Sequence, residues 1–273
     1  MKQTRLTDFL LCAALAAVPA MGMAADAVLG GYVSYNTAEK LGWYDMDSKG
    51  ELTFRWVDEL ASARSYPMVF GWERDGLVCG VSSLLADRIL YNYDYVEIDP
   101  ATGEYLAKNP VSVRNDDGTA NYLNYYHTAA YDPVSDRVYG YGYNAAGDAF
   151  VFKSSAYDMT DTKIIRVVAD SEYCASLTWN QDEQRLVGFN RVSFVYIDPA
   201  TGVQTEVYKE PVADYQYSYT GLVYDPRERG YYWNYFTKDN VSHMALVDLT
   251  AKTIKEVRTF PDRTNFRFMV TRG

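Results

Sequence analysis

Apolar and polar residues alternate in short runs along most of this chain, and turn residues separate the runs at regular distances. The runs group into a strand–turn–strand unit that recurs at intervals of roughly 45–50 residues. Two copies of the turn share the sequence Asp-Pro-Ala-Thr-Gly, at 99–103 and 198–202, and degenerate copies lie at 43–47, 156–160 and 246–250. A period of this length with several short strands per unit is typical of a β-propeller.

Each unit accounts for four strands. An apolar innermost strand ends in a turn, and the strand that follows is predicted at 77–81, 137–143, 185–189 and 230–236 in successive units. Asp132-Pro133 and Asp225-Pro226 favour type I turns after two of the innermost strands. A third strand enters each Asp turn and a fourth leaves it. The sequence therefore predicts an all-β fold with four-stranded blades.

The two ends of the repeat region complement each other. Residues 28–35 fit a second strand with no first strand before it, and residues 266–271 fit a first strand with no blade after it. Pairing of these C-terminal and N-terminal strands would close the ring and leave no long free edge. We therefore expect five blades, with a polar insertion at 114–121 lengthening the first repeat. A six-bladed ring that lacks its C-terminal part is the alternative.

The first 24 residues have the features of a secretory signal peptide. Lys2 and Arg5 precede an apolar run at 9–18, and small residues flank a cleavage site after Ala24. We expect residues 25–273 to form a single propeller domain, exported to the periplasm, the cell surface or the extracellular space. We expect no membrane insertion, because no other segment is long and apolar enough to span a bilayer.

The charge of the chain limits its partners. The formal net charge is −10, which disfavours binding to nucleic acid or to anionic lipid. Cys79 and Cys174 fall in repeats that are not expected to be neighbours, so no disulfide is predicted. We expect a monomer stabilised by its core and by ring closure.

Aromatic residues precede every innermost strand and suggest a binding surface. The innermost strands begin at one opening of the central channel, which we call the N-terminal mouth. Aromatic faces with polar neighbours suit a sugar ring or a peptide side chain, and packing of one blade against the next is the alternative role. The candidate ligand-binding residues are Tyr66, Tyr122, Tyr125, Tyr126, His127, Tyr173, Tyr215, Tyr217, Tyr219 and Arg267.

No catalytic residue is predicted. A sugar-cleaving propeller needs two facing carboxylates, but the starts of the innermost strands carry none, and the nearest acids are Asp170, Glu172, Asp214 and Asp262. His127 and His243 are the only histidines, so a histidine-based metal cluster is not available. No metal or other cofactor is expected.

The Tyr-Asp-Pro turn at 131–133, the segment Val138-Tyr139-Gly140 and the Ile-Asp-Pro-x-Thr-Gly turns resemble repeats of secreted bacterial β-propellers of the broad YVTN and quinoprotein-like kind. The resemblance covers nearly all of residues 28–273. It implies a secreted propeller that serves as a surface recognition module, and it carries over no residues of a quinone site.

Three functions follow as hypotheses. The first is a non-enzymatic recognition module that binds a glycan, peptide or protein at the aromatic-lined mouth. The second is a glycan hydrolase or lyase that uses the loop carboxylates. The third is a structural module of a larger cell-surface assembly.

Overall fold

A computed structural model describes residues 28–33, 42–46, 52–56, 65–86, 90–99, 105–111, 113–114, 120–121, 125–144, 146–216, 221–260 and 265–271. Residues 1–27, which contain the predicted signal peptide, lie outside these ranges. Apart from a short 3-10 helix at Asp170–Glu172, every regular element is a β-strand within the described ranges.

The strands of the first half are β1 (Val28–Val33), β2 (Gly42–Met46), β3 (Leu52–Trp56), β4 (Ser65–Arg74), β5 (Leu77–Ala86), β6 (Leu90–Ile98), β7 (Tyr105–Pro110), β8 (Val113–Arg114), β9 (Ala120–Asn121), β10 (Tyr125–Asp132) and β11 (Arg137–Tyr143). Those of the second half are β12 (Ala149–Ser155), β13 (Thr162–Val168), β14 (Ser176–Asn180), β15 (Arg185–Phe189), β16 (Ser193–Ile197), β17 (Gln204–Lys209), β18 (Tyr215–Gln216), β19 (Leu222–Asp225), β20 (Gly230–Thr237), β21 (Ser242–Asp248), β22 (Thr253–Phe260) and β23 (Asn265–Thr271).

The described strands form five sheets, which we number by their innermost strands. Sheet I is β4–β7, sheet III is β14–β17, and sheet V has the order β23-β1-β2-β3, so these three sheets have four strands each. Sheet II contains β10–β13 and also the β8–β9 hairpin, which lies at the predicted polar insertion and joins β13 in parallel. In sheet IV, β18 and β19 both pair with β20 and share the innermost position. The prediction of four strands per unit is therefore wrong for sheets II and IV.

The innermost strands contact one another in a cyclic order. β4 contacts β10, β10 contacts β14, β14 contacts β19, β19 contacts β23, and β23 contacts β4. Within each sheet the next strands pair antiparallel outward from this centre, and β23 pairs antiparallel with β1. Sheets that radiate from a common centre in this way form a β-propeller arrangement.

Side chains at the ends of innermost strands cap the turns that follow. Asp132, Asn180 and Asp225 each accept, through Oδ1, the backbone N–H two positions later, at 2.9, 3.0 and 2.9 Å. These Asx turns hold the chain reversal locally. Consequently β11 and β15 begin and end at the residues that the sequence predicts.

The repeated Asp motif has the same physical origin. Asp158, Asp198 and Asp248 lie between the third and fourth strands of sheets II, III and IV, and each accepts the N–H two positions later, at 3.1, 2.8 and 2.8 Å. The motif recurs because each of these turns needs its own acceptor for an otherwise unpaired N–H.

The hydrophobic core lies between successive sheets. Burial of each large side chain contributes roughly 1.5–3 kcal/mol, so the interfaces between sheets account for much of the stability. The buried residues that represent the four described interfaces are Phe70 and Phe152 between sheets I and II, Tyr141 and Leu177 between II and III, Phe194 and Trp233 between III and IV, and Phe260 and Phe266 between IV and V.

A buried asparagine links sheet IV to sheet V. Asn234 is fully buried, and its Oδ1 accepts the backbone N–H of Phe266 at 3.0 Å, while its Nδ2 donates to Ser242 Oγ at 2.9 Å. The strands also approach closely here, since a Cβ added to Gly221 would lie 2.7 Å from Cγ of Met269. Glycine at position 221, directly before β19, allows the chain to approach β23 this closely.

Candidate functional site

A cavity of about 260 Å³ lies where the innermost strands end, at the opening of the channel that we call the C-terminal mouth. All five innermost strands contribute to its wall, so it is centred on the propeller axis. It is lined by Gly71, Trp72, Glu73, Ala129, Ala130, Tyr131, Pro133, Leu177, Thr178, Trp179, Gln181, Leu222, Val223, Tyr224, Asp225, Pro226, Arg227, Met269 and Val270. We call this cavity the cup.

The floor of the cup is apolar. Ala129, Leu177, Leu222 and Met269 line both the cup and a separate void of about 10 Å³ deeper along the axis. A space of that size holds at most one water molecule.

Four aromatic residues line the cup at one repeated position, directly before the residue whose side chain accepts a backbone N–H of the following turn. They are Trp72, Tyr131, Trp179 and Tyr224. Trp72 packs on Phe70 with ring centroids 6.0 Å apart.

The other three wall residues are also held by neighbouring groups. Trp179 stacks on Tyr139 with centroids 6.1 Å apart and planes 10° from parallel. The hydroxyl of Tyr131 donates to Asp136 at 2.7 Å, and that of Tyr224 donates to Asp182 at 2.5 Å. Burial, followed by the bonded carboxylate, raises the pKa of both tyrosines, which keeps the hydroxyls protonated at neutral pH.

The two tryptophans of the wall carry buried donors without acceptors. Neither Nε1 of Trp72 nor Nε1 of Trp179 has a hydrogen-bond partner among the described residues. Trp72 is 3% exposed, and Trp179 is half-buried. Both nitrogen atoms are themselves inaccessible to solvent, so neither indole N–H is presented to the cup.

The rim of the cup contains a paired carboxylate. Asp225 is 1% exposed, and its two oxygens accept from Nε and Nη2 of Arg227 at 3.0 and 2.8 Å. Burial acts to raise the pKa of Asp225, but the hydrogen bonds from Arg227 outweigh it and hold the pKa below its ordinary value. The carboxylate is therefore ionised, and both of its oxygens already accept hydrogen bonds from Arg227 within the turn.

Glu73 is the second carboxylate of the cup. Its Oε1 accepts the backbone N–H of Gly76 at 2.7 Å, and the side chain is half-buried. It therefore supports the turn after β4 while it contributes an acceptor to the cup.

Two of the predicted ligand-binding residues have described side chains. Tyr173 is fully buried and lies between sheets II and III, with its ring 4.8 Å from that of Tyr143 and 5.5 Å from that of Tyr141. Tyr215 is half-buried and stacks on Trp233 at 5.7 Å. Both rings thus pack within the protein, and neither lines the cup.

The remaining predicted residues have no described side chain. Tyr66, Tyr125, Tyr126, His127 and Arg267 lie in the first part of β4, β10 and β23, at the N-terminal mouth, and their side chains are outside the described part of the chain. Tyr122, Tyr217 and Tyr219 lie outside the described residues altogether. Their role in binding stays a prediction.

The described loop acids of the hydrolase hypothesis do not line the cup. Glu172 pairs with Nη2 of Arg166 at 3.1 Å, within the short helix before β14. Asp170 is exposed in the same helix, and Asp214 is exposed directly before β18. Asp262 is outside the described residues.

Metal and thiol chemistry have little support in the described ranges. No group of three or more His, Cys, Asp or Glu residues is placed to hold a metal ion there. Cys79 and Cys174 are buried free thiols, and burial raises their pKa to about 11 and about 12. The described part of the chain also contains no helix with the length and hydropathy that a bilayer requires.

The sequence contains a signal for the cup that the predicted binding residues do not include. In four repeats an aromatic residue immediately precedes Glu73, Asp132, Asn180 or Asp225. Aromatic residues are common in strands, and the pattern alone does not separate a packing role from a binding role.

The fold is similar to that of several solved propellers. TolB from Acinetobacter baumannii is 11% identical with a TM-score of 0.49, and the match covers 84% of this chain and 52% of that one, so this chain spans about half its length. The periplasmic gluconolactonase of Pseudomonas aeruginosa is 11% identical with a TM-score of 0.47, covering 85% and 82% of the two chains. The β-propeller domain of the Trilobed protease from Pyrococcus furiosus is 14% identical with a TM-score of 0.35, covering 71% and 57%.

No protein-family model and no curated protein matches the sequence. The similarity to the solved structures concerns the fold alone.

Proposed function

We propose that this chain is an exported, non-enzymatic recognition module that binds a glycan, peptide or protein group in the cup at the C-terminal mouth. The observation that carries the proposal is the cup itself. It combines an apolar floor, aromatic walls and a polar rim, which is the composition of small-ligand sites.

The position of the cup supports recognition at the surface of the propeller. Its rim is built from short turns with their own hydrogen bonds. Such a rim loses little conformational freedom when a ligand binds, which favours affinity.

The state of the carboxylates favours binding over hydrolysis. A sugar-cleaving enzyme needs one carboxylic acid with a raised pKa and a second carboxylate facing it. Asp225 has a lowered pKa and is held by Arg227, and Glu73 bonds its own turn. Asp225 therefore does not have the environment of a general acid.

We further propose that the propeller has five blades and is closed by β23, and that residues 1–24 direct its export. The cyclic contacts of the innermost strands and the β23–β1 pairing support the closed ring. Mass spectrometry of the exported protein tests the signal peptide, with Ala25 as the expected first residue.

A glycan and peptide array screen of the purified protein tests the proposed function. Reproducible binding that Trp179→Ala abolishes, without a matching loss of thermal stability, is the expected result. A folded protein that binds nothing on either array contradicts the proposal and favours a structural role in a larger assembly.

A further inference from the structure

We infer that the cup binds a protonated amine that is joined to a small apolar group, as in the first residue of a peptide with a free N-terminus. This inference rests on the proposed function and narrows it to one class of ligand. It is carried by the charges of the cup, in which the carboxylate of Glu73 lies above an apolar floor without a cationic partner among the described residues.

The charged side chains that line the cup leave one negative charge in excess. They are Glu73, Asp225 and Arg227, two carboxylates against one guanidinium. Asp225 and Arg227 neutralise each other across 2.8 Å. Arg74, the next residue after Glu73, pairs with Glu97 at 2.6 Å. The charge of Glu73 is therefore the one that a ligand in the cup would balance.

The carboxylate of Glu73 still has an oxygen to offer. Oε1 accepts the backbone N–H of Gly76 at 2.7 Å, which leaves Oε2 as an acceptor. Glu73 is half-buried, and neither of its oxygens is among the solvent-inaccessible atoms without a partner. An ammonium group has three donors and no acceptor, so it matches Oε2 in both charge and hydrogen bonding. Partial shielding from water strengthens such a pair relative to one on an open surface.

The depth of the floor defines the apolar part of the ligand. Leu177 lies three residues before Asn180 and Leu222 three before Asp225, while Glu73 occupies the same turn-capping position in its own strand. Three residues of a strand span about 10 Å. A hydrogen bond of about 2.8 Å at one end and an apolar contact of about 4 Å at the other leave roughly 3–4 Å for the ligand. An α-ammonium and the end of a short apolar side chain are separated by about this distance.

Other ligand classes match the cup less well. A lysine side chain that enters the cavity would place its ammonium against Leu222 and Met269, where burial of a charge is costly. An anion would be repelled by Glu73 and by the net charge of −10, and a neutral sugar would leave the charge of Glu73 unbalanced. A volume of about 260 Å³ is below the usual range for drug-sized ligands, so a single residue enters.

The test removes the charge from either side of the contact. Leucine amide and phenylalanine amide are titrated by calorimetry beside their N-acetyl forms, and arrays of peptides with free and acetylated N-termini extend the search. Acetylation should weaken binding about tenfold or more. Glu73→Gln should weaken the free amines about fivefold or more, because glutamine keeps an acceptor for Gly76 and loses the charge. The loss should shrink at high salt.

Asp75→Asn is the matched control. Asp75 carries the same charge in the same turn, but its side chain is 80% exposed and does not line the cup. Its φ of 53° is one that asparagine adopts readily. This substitution should change the affinity for the amines less than about twofold, as expected of an exposed charge, and thermal melts of both variants report their folding.

The outcomes separate this inference from the proposed function. Binding of free amines that Glu73→Gln leaves unchanged would overturn the role of this carboxylate. Equal or tighter binding of acetylated probes, or binding of sugars alone, would overturn the ligand class and leave the recognition function standing. A folded protein that binds no amine, peptide or glycan would contradict both.

Discussion

The two mouths of the channel differ in how their strands are built. At the C-terminal mouth the innermost strands pair in unbroken register up to their turns, as in Tyr131↔Val138, Trp179↔Leu186 and Tyr224↔Tyr231. At the N-terminal mouth the register shifts within β4, between Tyr66 and Phe70, and within β10, between Tyr126 and Thr128.

This difference decides which side chains can be placed from sequence. In a regular strand alternate residues face opposite sides of the sheet, and one extra residue reverses every direction beyond it. The aromatic residues of the C-terminal mouth lie on the regular side of these shifts, whereas Tyr66 and Tyr126 of the N-terminal mouth lie beyond them. Side-chain directions can therefore be inferred from strand alternation at the C-terminal mouth, where the cup lies.

Deletion of 265–273 is expected to have the largest effect, because it damages both mouths. It removes β23, which pairs with β1 and buries Phe266 and Met269 against sheet IV. We expect the melting temperature to fall by more than about 10 °C, consistent with a loss of several kcal/mol. Calorimetry checks this, with deletion of 272–273 as the control. A melting temperature within a few degrees of the full chain would contradict closure of the ring by β23.

Trp233→Ala tests the packing that supports the N-terminal side. Trp233 is fully buried, and its ring lies 4.6 Å from Phe189, 5.1 Å from Phe194 and 5.7 Å from Tyr215. We expect a loss of about 3–5 kcal/mol in the free energy of unfolding, from lost burial and from the cavity left behind. Urea unfolding measures it. Val134→Ala, at a position 72% exposed, should change stability by less than about 0.5 kcal/mol, and a similar effect of the two changes would argue against this core.

Asp225→Asn tests the rim of the C-terminal mouth and carries a pH dependence. The folded protein holds the pKa of Asp225 below its unfolded value, so this group stabilises the fold above about pH 4 and loses that contribution as the pH falls through the folded pKa. We expect Asp225→Asn to lower the free energy of unfolding by about 1–2 kcal/mol at pH 7, because the charge-assisted bonds to Arg227 are lost. The difference in unfolding free energy between this variant and the unmodified protein should become smaller below pH 4.

The comparison for that change is Asp132→Asn, at the same repeat position. Asp132 caps its turn by accepting from the N–H of Val134 and the hydroxyl of Ser135, two neutral donors, where Asp225 accepts from a guanidinium. Asp132→Asn should therefore lower the free energy of unfolding at pH 7 by less than Asp225→Asn does. Equal losses of unfolding free energy in the two variants, with no pH dependence for either, would contradict the stabilising role that we assign to Arg227.

The smallest expected effect concerns the two thiols. Cys79 and Cys174 are fully buried, and burial raises the pKa of each, so the thiolate that reacts with a disulfide reagent is scarce at pH 8. We expect negligible labelling of either residue in the folded protein and full labelling in guanidinium. Rapid labelling of the native protein would show that one of these sheet interfaces opens.

Strands and turns can be predicted from the sequence because their determinants are local. Asp198 and Asp248 cap their own turns, and short apolar runs directly after a turn mark β11 and β15. The terminal segments at 28–35 and 266–271 are expected to pair, and β1 and β23 do. The split of one innermost strand into β18 and β19 is not predicted, since it depends on how two short segments share the edge of β20.

The candidate site is harder to predict because it depends on distant contacts. Tyr173 precedes an innermost strand as expected, but its ring is enclosed by Tyr141 and Tyr143 of the neighbouring sheet. The sequence places Trp179 only within a strand, and its position in the cup results from four other innermost strands meeting around it. A single sequence gives the position of a residue along its strand, and the neighbouring sheets decide what its ring faces.

The most direct test of binding in the cup compares the two mouths in one experiment. The best array ligand is titrated into the unmodified protein, Trp179→Ala, Tyr126→Ala and Tyr217→Ala, with melting temperatures measured in parallel. We predict that Trp179→Ala abolishes binding while the two tyrosine variants retain it. Loss of binding in the tyrosine variants, with Trp179→Ala unaffected and all proteins folded, would contradict binding in the cup. It would favour a binding site at the N-terminal mouth.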